Sequence, residues 1–211
     1  MRQTIEYAKR YAISHQLFSF SNFSDLWNFL SKKLRLIIPS PTYRDSPCPF
    51  AAFAAIIVNH TSNTAVAWGG GDENDPSGHG EIQAIRYLVE NSNGSAGAFN
   101  ADFWQQLDIY TTGEPCVMCA GAIRWARFRK VVYATSIPAL VTMGWPQIPI
   151  RARYVHQKSY TNHNADGHFS DYRTEIVAGV LRNETDPLFA WQFKSNAPCP
   201  VGCSRQGGIC L

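Results

Sequence analysis

Two short segments, His79-Gly80-Glu81 and Pro115-Cys116-Val117-Met118-Cys119, constrain this 211-residue chain more than any other feature. Cysteines three positions apart at a helix start project their sulfurs to the same side. One metal ion can hold both, and the positive end of the helix dipole favours their thiolate forms. Pro115 suits a first helical turn, where its missing N–H would have had no partner in any case. His79 stands before a second helical pattern, so a fold that uses both segments must bring two helix starts to one point. A closed structural zinc site needs four protein ligands. This chain offers one well-placed soft ligand beyond the cysteine pair, His79. Three protein ligands leave a position for water, whose pKa zinc lowers to about 7. Glu81, two residues past His79, lies near such a metal without being needed to hold it, which suits a proton shuttle. A lone C-x-x-C admits redox and zinc-ribbon readings; both halves in this order, each before a helix pattern, point to a catalytic zinc.

The rest of the chain reads as alternating strands and helices. Apolar spacing predicts helices over 4–17 and 24–36, followed by a turn-rich connector over 39–49. Residues 51–59 form a continuous run of small and branched apolar side chains, the pattern of a buried strand, and 64–68 its hairpin partner. A Gly/Asp-rich loop over 69–78 leads into a helix over about 79–90. Loop 91–100, strand 107–111, a helix from 115 or 116 to about 128, strand 131–134 and a helix near 137–143 follow. The apolar run 176–181 suits strand or helix. This alternation predicts a layered α/β domain, with both ligand-bearing helix starts at the sheet edge where ligands of such folds bind. The expected organisation is an N-terminal helical extension over 1–46, a catalytic domain over 47–194 and a cysteine-containing tail over 195–211.

The pairing of H-x-E with P-C-x-x-C is the signature of zinc deaminases that act on nucleobases. Through it the chain resembles the cytidine and deoxycytidylate deaminase superfamily, and within it the guanine deaminase and tRNA adenosine deaminase branch. The resemblance is carried by Glu114-Pro115-Cys116-Val117-Met118-Cys119-Ala120-Gly121-Ala122-Ile123, by Asp75-Pro76 ahead of His79, and by Ile82-Gln83-Ala84-Ile85 after Glu81. Over a longer span the chain is similar to secreted fungal deaminase-like proteins. There the shared segments are Pro47-Cys48-Pro49-Phe50, Ile57-Val58-Asn59-His60-Thr61, Ile123-Arg124-Trp125-Ala126, Asn183-Glu184-Thr185-Asp186-Pro187 and Pro198-Cys199-Pro200. The resemblance covers most of 47–203. It implies a three-layer α/β/α sandwich of cytidine-deaminase type around a mixed central sheet, zinc on His79, Cys116 and Cys119, Glu81 as the catalytic proton shuttle, and often a homodimer. The implied reaction is hydrolytic release of ammonia from a nucleobase, nucleoside or nucleotide ring. Family members usually carry Asn several residues before the metal-binding His, where its amide reads the ring. Here that stretch is Trp68-Gly69-Gly70, with Asn74 close to the helix. Asn59, at an earlier strand end, and Trp145, in a loop that approaches the substrate in the family, are the expected substrate-binding residues, with a packing role as the other reading of Trp145. A zinc protein that kept this fold and lost turnover is the alternative from outside enzymology.

Charge bears on the partner. With histidines neutral the net charge is +3, far short of the basic stripe of a dedicated nucleic-acid binder. Arg124, Arg127, Arg129 and Lys130 crowd the end of the second ligand-bearing helix, where cations answer its dipole. An RNA-editing adenosine deaminase would need a basic groove, so a small molecule is the expected partner and nucleic acid is not. At 45% hydrophobic residues the chain can bury a core, to which Phe53 and Trp104 are assigned. No apolar run reaches the ~18–20 residues that span a membrane, and the charged start shows no signal peptide. Cys48, Cys199, Cys203 and Cys210 form an even remainder that fits two disulfides, with three connectivities open. Together with Asn-x-Ser/Thr patterns at Asn22, Asn59, Asn93 and Asn183, these cysteines predict secretion; four free thiols would instead mark a cytoplasmic protein. His156, His163 and His168 are too irregularly spaced for a second metal site and are expected to be solvated in loops.

Overall fold

The branched apolar run after Phe53 becomes β1 (Ala54–Asn59), whose inner residues Ala55, Ile56, Ile57 and Val58 are all buried. Such a strand meets water on neither face, and it belongs inside a sheet. A computed structural model, which describes residues 50–72, 74–97, 100–161, 172–200 and 202–211, places it there. The helices expected over 4–17 and 24–36, and the connector over 39–49, lie outside these residues. β2 (Thr64–Gly70) folds back on β1 in antiparallel register, with an irregularity between Ile57 and Val58. β3 (Leu107–Gly113) pairs antiparallel with the other side of β1. β4 (Lys130–Thr135) and β5 (Glu175–Ala178) then add in parallel, giving a five-stranded mixed sheet of order β2-β1-β3-β4-β5.

The helices are α1 (Gly80–Asn91), α2 (Ala101–Trp104), α3 (Val117–Ala126), α4 (Ile137–Met143), α5 (Ala152–Thr161) and α6 (Arg182–Ala190). A parallel pair needs a crossover, and α3 supplies it between β3 and β4. Ile57, Ile109 and Val131 of the sheet share one cluster with Ala84 and Leu88 of α1 and Ile123 of α3. Trp104 joins that cluster, as expected. A separate cluster of Ala52, Leu140, Trp145 and Phe189 joins α4 to α6. The mixed α/β architecture is the expected one.

Boundaries shift for local reasons. α3 stops at Ala126 because Arg127 adopts the left-handed conformation at φ 65°, which turns Phe128 into the core. The run 176–181 is a strand only to Ala178, since Gly179 (φ 72°) and Leu181 (φ 52°) turn the chain into α6. In the tail, β6 (Arg205–Gln206) and β7 (Ile209–Cys210) form a small hairpin. A Cys199–Cys210 disulfide with Cα atoms 5.6 Å apart closes it over Trp191. Cys203 is also disulfide-bonded; Cys48 lies outside the described residues. No helix among the described residues is long and apolar enough to cross a membrane.

Two glycines let α1 sink onto the sheet. A Cβ on Gly69 of β2 would stand 2.2 Å from the Gly80 carbonyl oxygen and 2.4 Å from the Ala84 nitrogen. A Cβ on Gly80 would press on the Ala54 and Ala55 backbone at 3.0–3.1 Å. The start of α1 is therefore fixed against β1 and β2 by the absence of side chains. Gly69→Ala must push the helix off, and overpacking of this kind costs about 1–3 kcal/mol. The expected result is a lower urea midpoint at unchanged slope.

Candidate active site

His79 and Cys116 are the N-cap residues of α1 and α3, with extended backbone (φ −70°, ψ 155° and φ −64°, ψ 173°). Neither side chain caps its own helix. Ser, Thr, Asp or Asn in such positions contributes about 1 kcal/mol, so both helices forgo that stabilisation and turn their cap side chains elsewhere. They turn to each other: Cys116 Sγ lies 3.5 Å from His79 Nδ1. Together with Cys119 Sγ, one turn into α3, the three ligand atoms lie within 4.8 Å of one another. Two sulfurs and one imidazole nitrogen at this spacing suit zinc and do not suit calcium or magnesium. Three is also the number of protein ligands that catalytic zinc sites use.

Proton sharing within the cluster fits the same reading. Hydrogen bonds from Cys119 and then His79 hold the Cys116 thiol down to about 4. The bond to Cys116, reinforced by burial, pushes Cys119 up. Cys116 likewise raises His79. A cation entering the cluster displaces the protons held there. Glu81 is all but buried beside them, its carboxyl raised to about 6, first by burial, and hydrogen-bonded to Cys119.

His79, Glu81 and Cys116 line one side of a cavity of about 350 Å³, with Cys119 buried beside them. Its other walls include Phe53, Trp145, Pro146 and Gln147, the loop residues Asp72 and Asp75, and Thr112 and Glu114 at the end of β3. Among the described residues, no lysine or arginine lines it. Most of its polar groups are already engaged. Thr112 Oγ1 donates to the Ala52 carbonyl at 2.8 Å and accepts from the Ala54 N–H at 3.0 Å. Asp75 accepts from the Ser77 hydroxyl and N–H and from Arg86, which hold its carboxyl down to about 2. Glu114, whose side chain is fully buried, accepts from Arg151 and from the N–H groups of Ile137 and Ala152.

The structure brings His79, Glu81, Cys116 and Cys119 together, and Trp145 faces the same cavity. Trp145 is however built into the wall. Its Nε1 donates to the Phe189 carbonyl at 2.9 Å, and Phe53 and Phe193 pack against the ring in edge geometry at 5.0 and 5.1 Å. Asn59 is not part of the site. β1 meets the cavity at Ala54, and Asn59 lies five residues further along, roughly 17 Å at strand rise. There its Oδ1 accepts from the N–H groups of Thr61 and Ser62 in the β1–β2 turn. Asn74 is exposed, bonded to Asp72, and absent from the cavity lining. Phe53, expected only in the core, lines the cavity. His156 is not a solvated loop residue either: it is buried on α5, where burial and then Arg124 lower its pKa to about 4. The cations at the end of α3 and just beyond it are largely engaged, Arg129 with Asp108, Lys130 with Glu175 at 3.0 Å, and buried Arg124 with the Ser159 hydroxyl at 2.8 Å. Thr112, Asp72, Asp75 and Gln147 escaped the sequence reading, and only Asp75, through the Asp-Pro pair, carried a signal.

Metal analysis of the protein is expected to find about one zinc per chain, and Cys116→Ala or Cys119→Ala to lose it. Full zinc retention in both variants would sink the assignment of these ligands.

Comparison with known proteins agrees with this geometry. Residues 32–135 match the family model of the cytidine and deoxycytidylate deaminase zinc-binding region. The guanine deaminase of Bacillus subtilis (strain 168) is 39% identical over 90 residues, 41% of this chain and 49% of that protein. A tRNA-specific adenosine deaminase of Haemophilus influenzae is 30% identical over 124 residues, 58% of each chain. The chain thus spans about half the length of the curated relatives it matches. A solved guanine deaminase from Nitrosomonas europaea shares the fold, with a TM-score of 0.60 at 18% identity over 83% of this chain and 86% of that one. Residues 32–135 thus match a zinc-binding region of the cytidine and deoxycytidylate deaminase type.

Proposed function

We propose that the protein is a zinc-dependent hydrolytic deaminase that releases ammonia from a free nucleobase or a nucleoside. The observation that carries this is the convergence of His79, Cys116 and Cys119 with a buried carboxyl, Glu81, at the wall of a cavity of about 350 Å³. His79, Cys116 and Cys119 would hold the metal, which would supply Lewis acidity for hydrolysis near neutral pH. Water oxygen bonds to the ring carbon that carries the amine. Glu81 takes one proton from the water and passes it to the ring nitrogen, then takes the second from the hydroxyl of the adduct and passes it to the departing amine. The C–N bond breaks, and the products are a ring carbonyl and ammonia. Carboxyl groups are suited to both transfers, being donor in one protonation state and acceptor in the other.

The cavity also supports a substrate class. It has acidic residues at Asp72, Asp75, Glu81 and Glu114 and, among the described residues, no lysine or arginine to answer a phosphate. A nucleotide would bring a dianion into that field, whereas a neutral base or nucleoside would not. RNA requires cations along its backbone, and Arg129 and Lys130 are committed to ion pairs. Relatives named for guanine and for tRNA adenosine support an exocyclic amine on a purine-type ring as the reacting group.

Glu81→Gln keeps the size of the side chain but cannot shuttle a proton. It is expected to retain zinc and to lose about 10²–10⁴ of turnover, read as ammonia release from guanine, cytosine, adenine and their nucleosides. Turnover within a few-fold of wild type would remove Glu81 from the role. Failure of the wild-type zinc protein on every base would remove the function itself.

We further propose that the protein is secreted. The Cys199–Cys210 bond and the bonded state of Cys203 support an oxidising compartment. In native, non-reduced protein from an oxidising host, Cys48, Cys199, Cys203 and Cys210 should resist alkylation, while Cys116 and Cys119 react once zinc is chelated. Mass spectrometry that finds all four of the former alkylated without reductant would return the protein to the cytoplasm.

A further inference from the structure

A ring entering the cavity meets few polar groups with spare capacity. Thr112 spends its hydroxyl on the backbone of Ala52 and Ala54. Glu114 spends its carboxylate on Arg151, Ile137 and Ala152, and Asp75 on Ser77 and Arg86. Asp72 accepts from Asn74 and is an acceptor only. His79 and Cys116 belong to the ligand cluster, and Glu81 lies beside it. Gln147 differs from all of these. It lines the same cavity, is half-buried, and its side-chain amide makes no hydrogen bond among the described residues. An amide left in this state retains both a donor and an acceptor.

The backbone that presents Gln147 is held by the packing of the residues just before it. Gly144 closes α4 at φ 105°, and a Cβ there would stand 2.8 Å from Cβ of Phe193, so the turn and the phenyl ring fit only one way. Trp145 follows, buried, its indole N–H bonded to Phe189 and its ring set among Phe50, Phe53 and Phe193. Pro146 then fixes its own φ and restricts its neighbour. A polar group carried on a rigid wall loses little entropy when it binds, and this makes it an effective reader of shape and hydrogen-bonding pattern.

We propose that Gln147 is the specificity-determining residue of the cavity. Its amide carbonyl accepts from a ring N–H while its NH₂ donates to the neighbouring ring carbonyl or imine nitrogen. The substrate class this selects is an uncharged aminated heterocycle with a donor and an acceptor side by side on one edge. In a cavity with four acidic residues, Gln147 adds a side-chain donor that carries no charge. The proposal rests on the deaminase reading above, and its test separates the two.

The test uses the full-length, zinc-loaded protein with guanine, cytosine and adenine, each beside an analogue methylated at the ring N–H of that edge. Ammonia release gives kcat and KM, and calorimetry gives binding. In the wild type, methylation should weaken the preferred base about tenfold, the range of one hydrogen bond left unmade. Gln147→Ala should raise KM for that base about tenfold with kcat within threefold, and should shrink the methylation penalty towards one, at unchanged zinc content and urea midpoint. Gln147→Glu keeps the size and the acceptor and loses the donor, so it should reproduce the loss of affinity with an intact fold. If both variants keep the wild-type KM values and the wild-type ranking of bases, the proposal is overturned while the catalytic reading stands. If wild-type protein releases no ammonia, the catalytic reading fails and binding alone decides. Equal affinity of wild type for base and methylated analogue then overturns the role of Gln147, and a penalty lost in Gln147→Ala upholds it.

Discussion

The Glu114 carboxylate accepts from Arg151 Nε at 2.7–2.8 Å and from the N–H groups of Ile137 and Ala152, both at 3.0 Å. The end of β3 and the starts of α4 and α5 thus hang on one charge. Stripping a carboxylate of water costs several kcal/mol, and only a full set of partners offsets it. Here the partners are a guanidinium and two backbone donors at helix starts, where the dipole adds to the attraction. Arg151 is in turn braced by the Tyr133 hydroxyl at 3.1 Å. The next residues in sequence are Pro115 and Cys116. The position of the first sulfur ligand is therefore set by an anchor that has no ligand role.

The second ligand-bearing helix is fixed by a different kind of force. Gly69 and Gly80 place α1 by steric permission, letting backbone pack on backbone where any side chain would hold it off. One side of the site is positioned by a saturated buried charge and the other by missing atoms. Between them, His79 and Cys116 occupy cap positions without capping. The protein gives up local helix stability at the two points where the ligand side chains must face each other, a trade found where function and local preference conflict.

Much of this was legible in the sequence wherever the information is local. Cysteine spacing, the Pro before it and the His-x-Glu step lie within single turns of helix, so the cluster follows from the sequence alone. β1, β2 and the helix over Ile137–Met143 follow from hydrophobic runs and turn residues in the same way. What escaped depends on direction and on burial. Nothing within Ala54–Asn59 says which end of the strand meets the cavity, and Asn59 was assigned to the wrong one. Trp145 reads the same whether its indole is free or bonded to Phe189, forty-four residues away. His156 looks like any polar residue until α5 packs it against α3. Pro187 sits inside α6 and masks that helix from pattern reading. Gln147 has no periodic partner at all, and only its place on the cavity wall singles it out.

The aromatic wall runs further than the cavity. Phe50 touches Trp145 on one side and Trp191 on the other, both at 5.8 Å between centroids. Trp191 in turn packs with Cys210, half of the bond that closes the tail hairpin. A continuous chain of edge-to-face rings thus joins a covalent clasp, whose Cys210 is buried, to the cavity wall. Rigidity is passed along those rings by contact, because packed rings cannot move singly without opening voids. The covalent bond that closes the tail therefore also braces the far end of the aromatic wall, through Trp191 and Phe50.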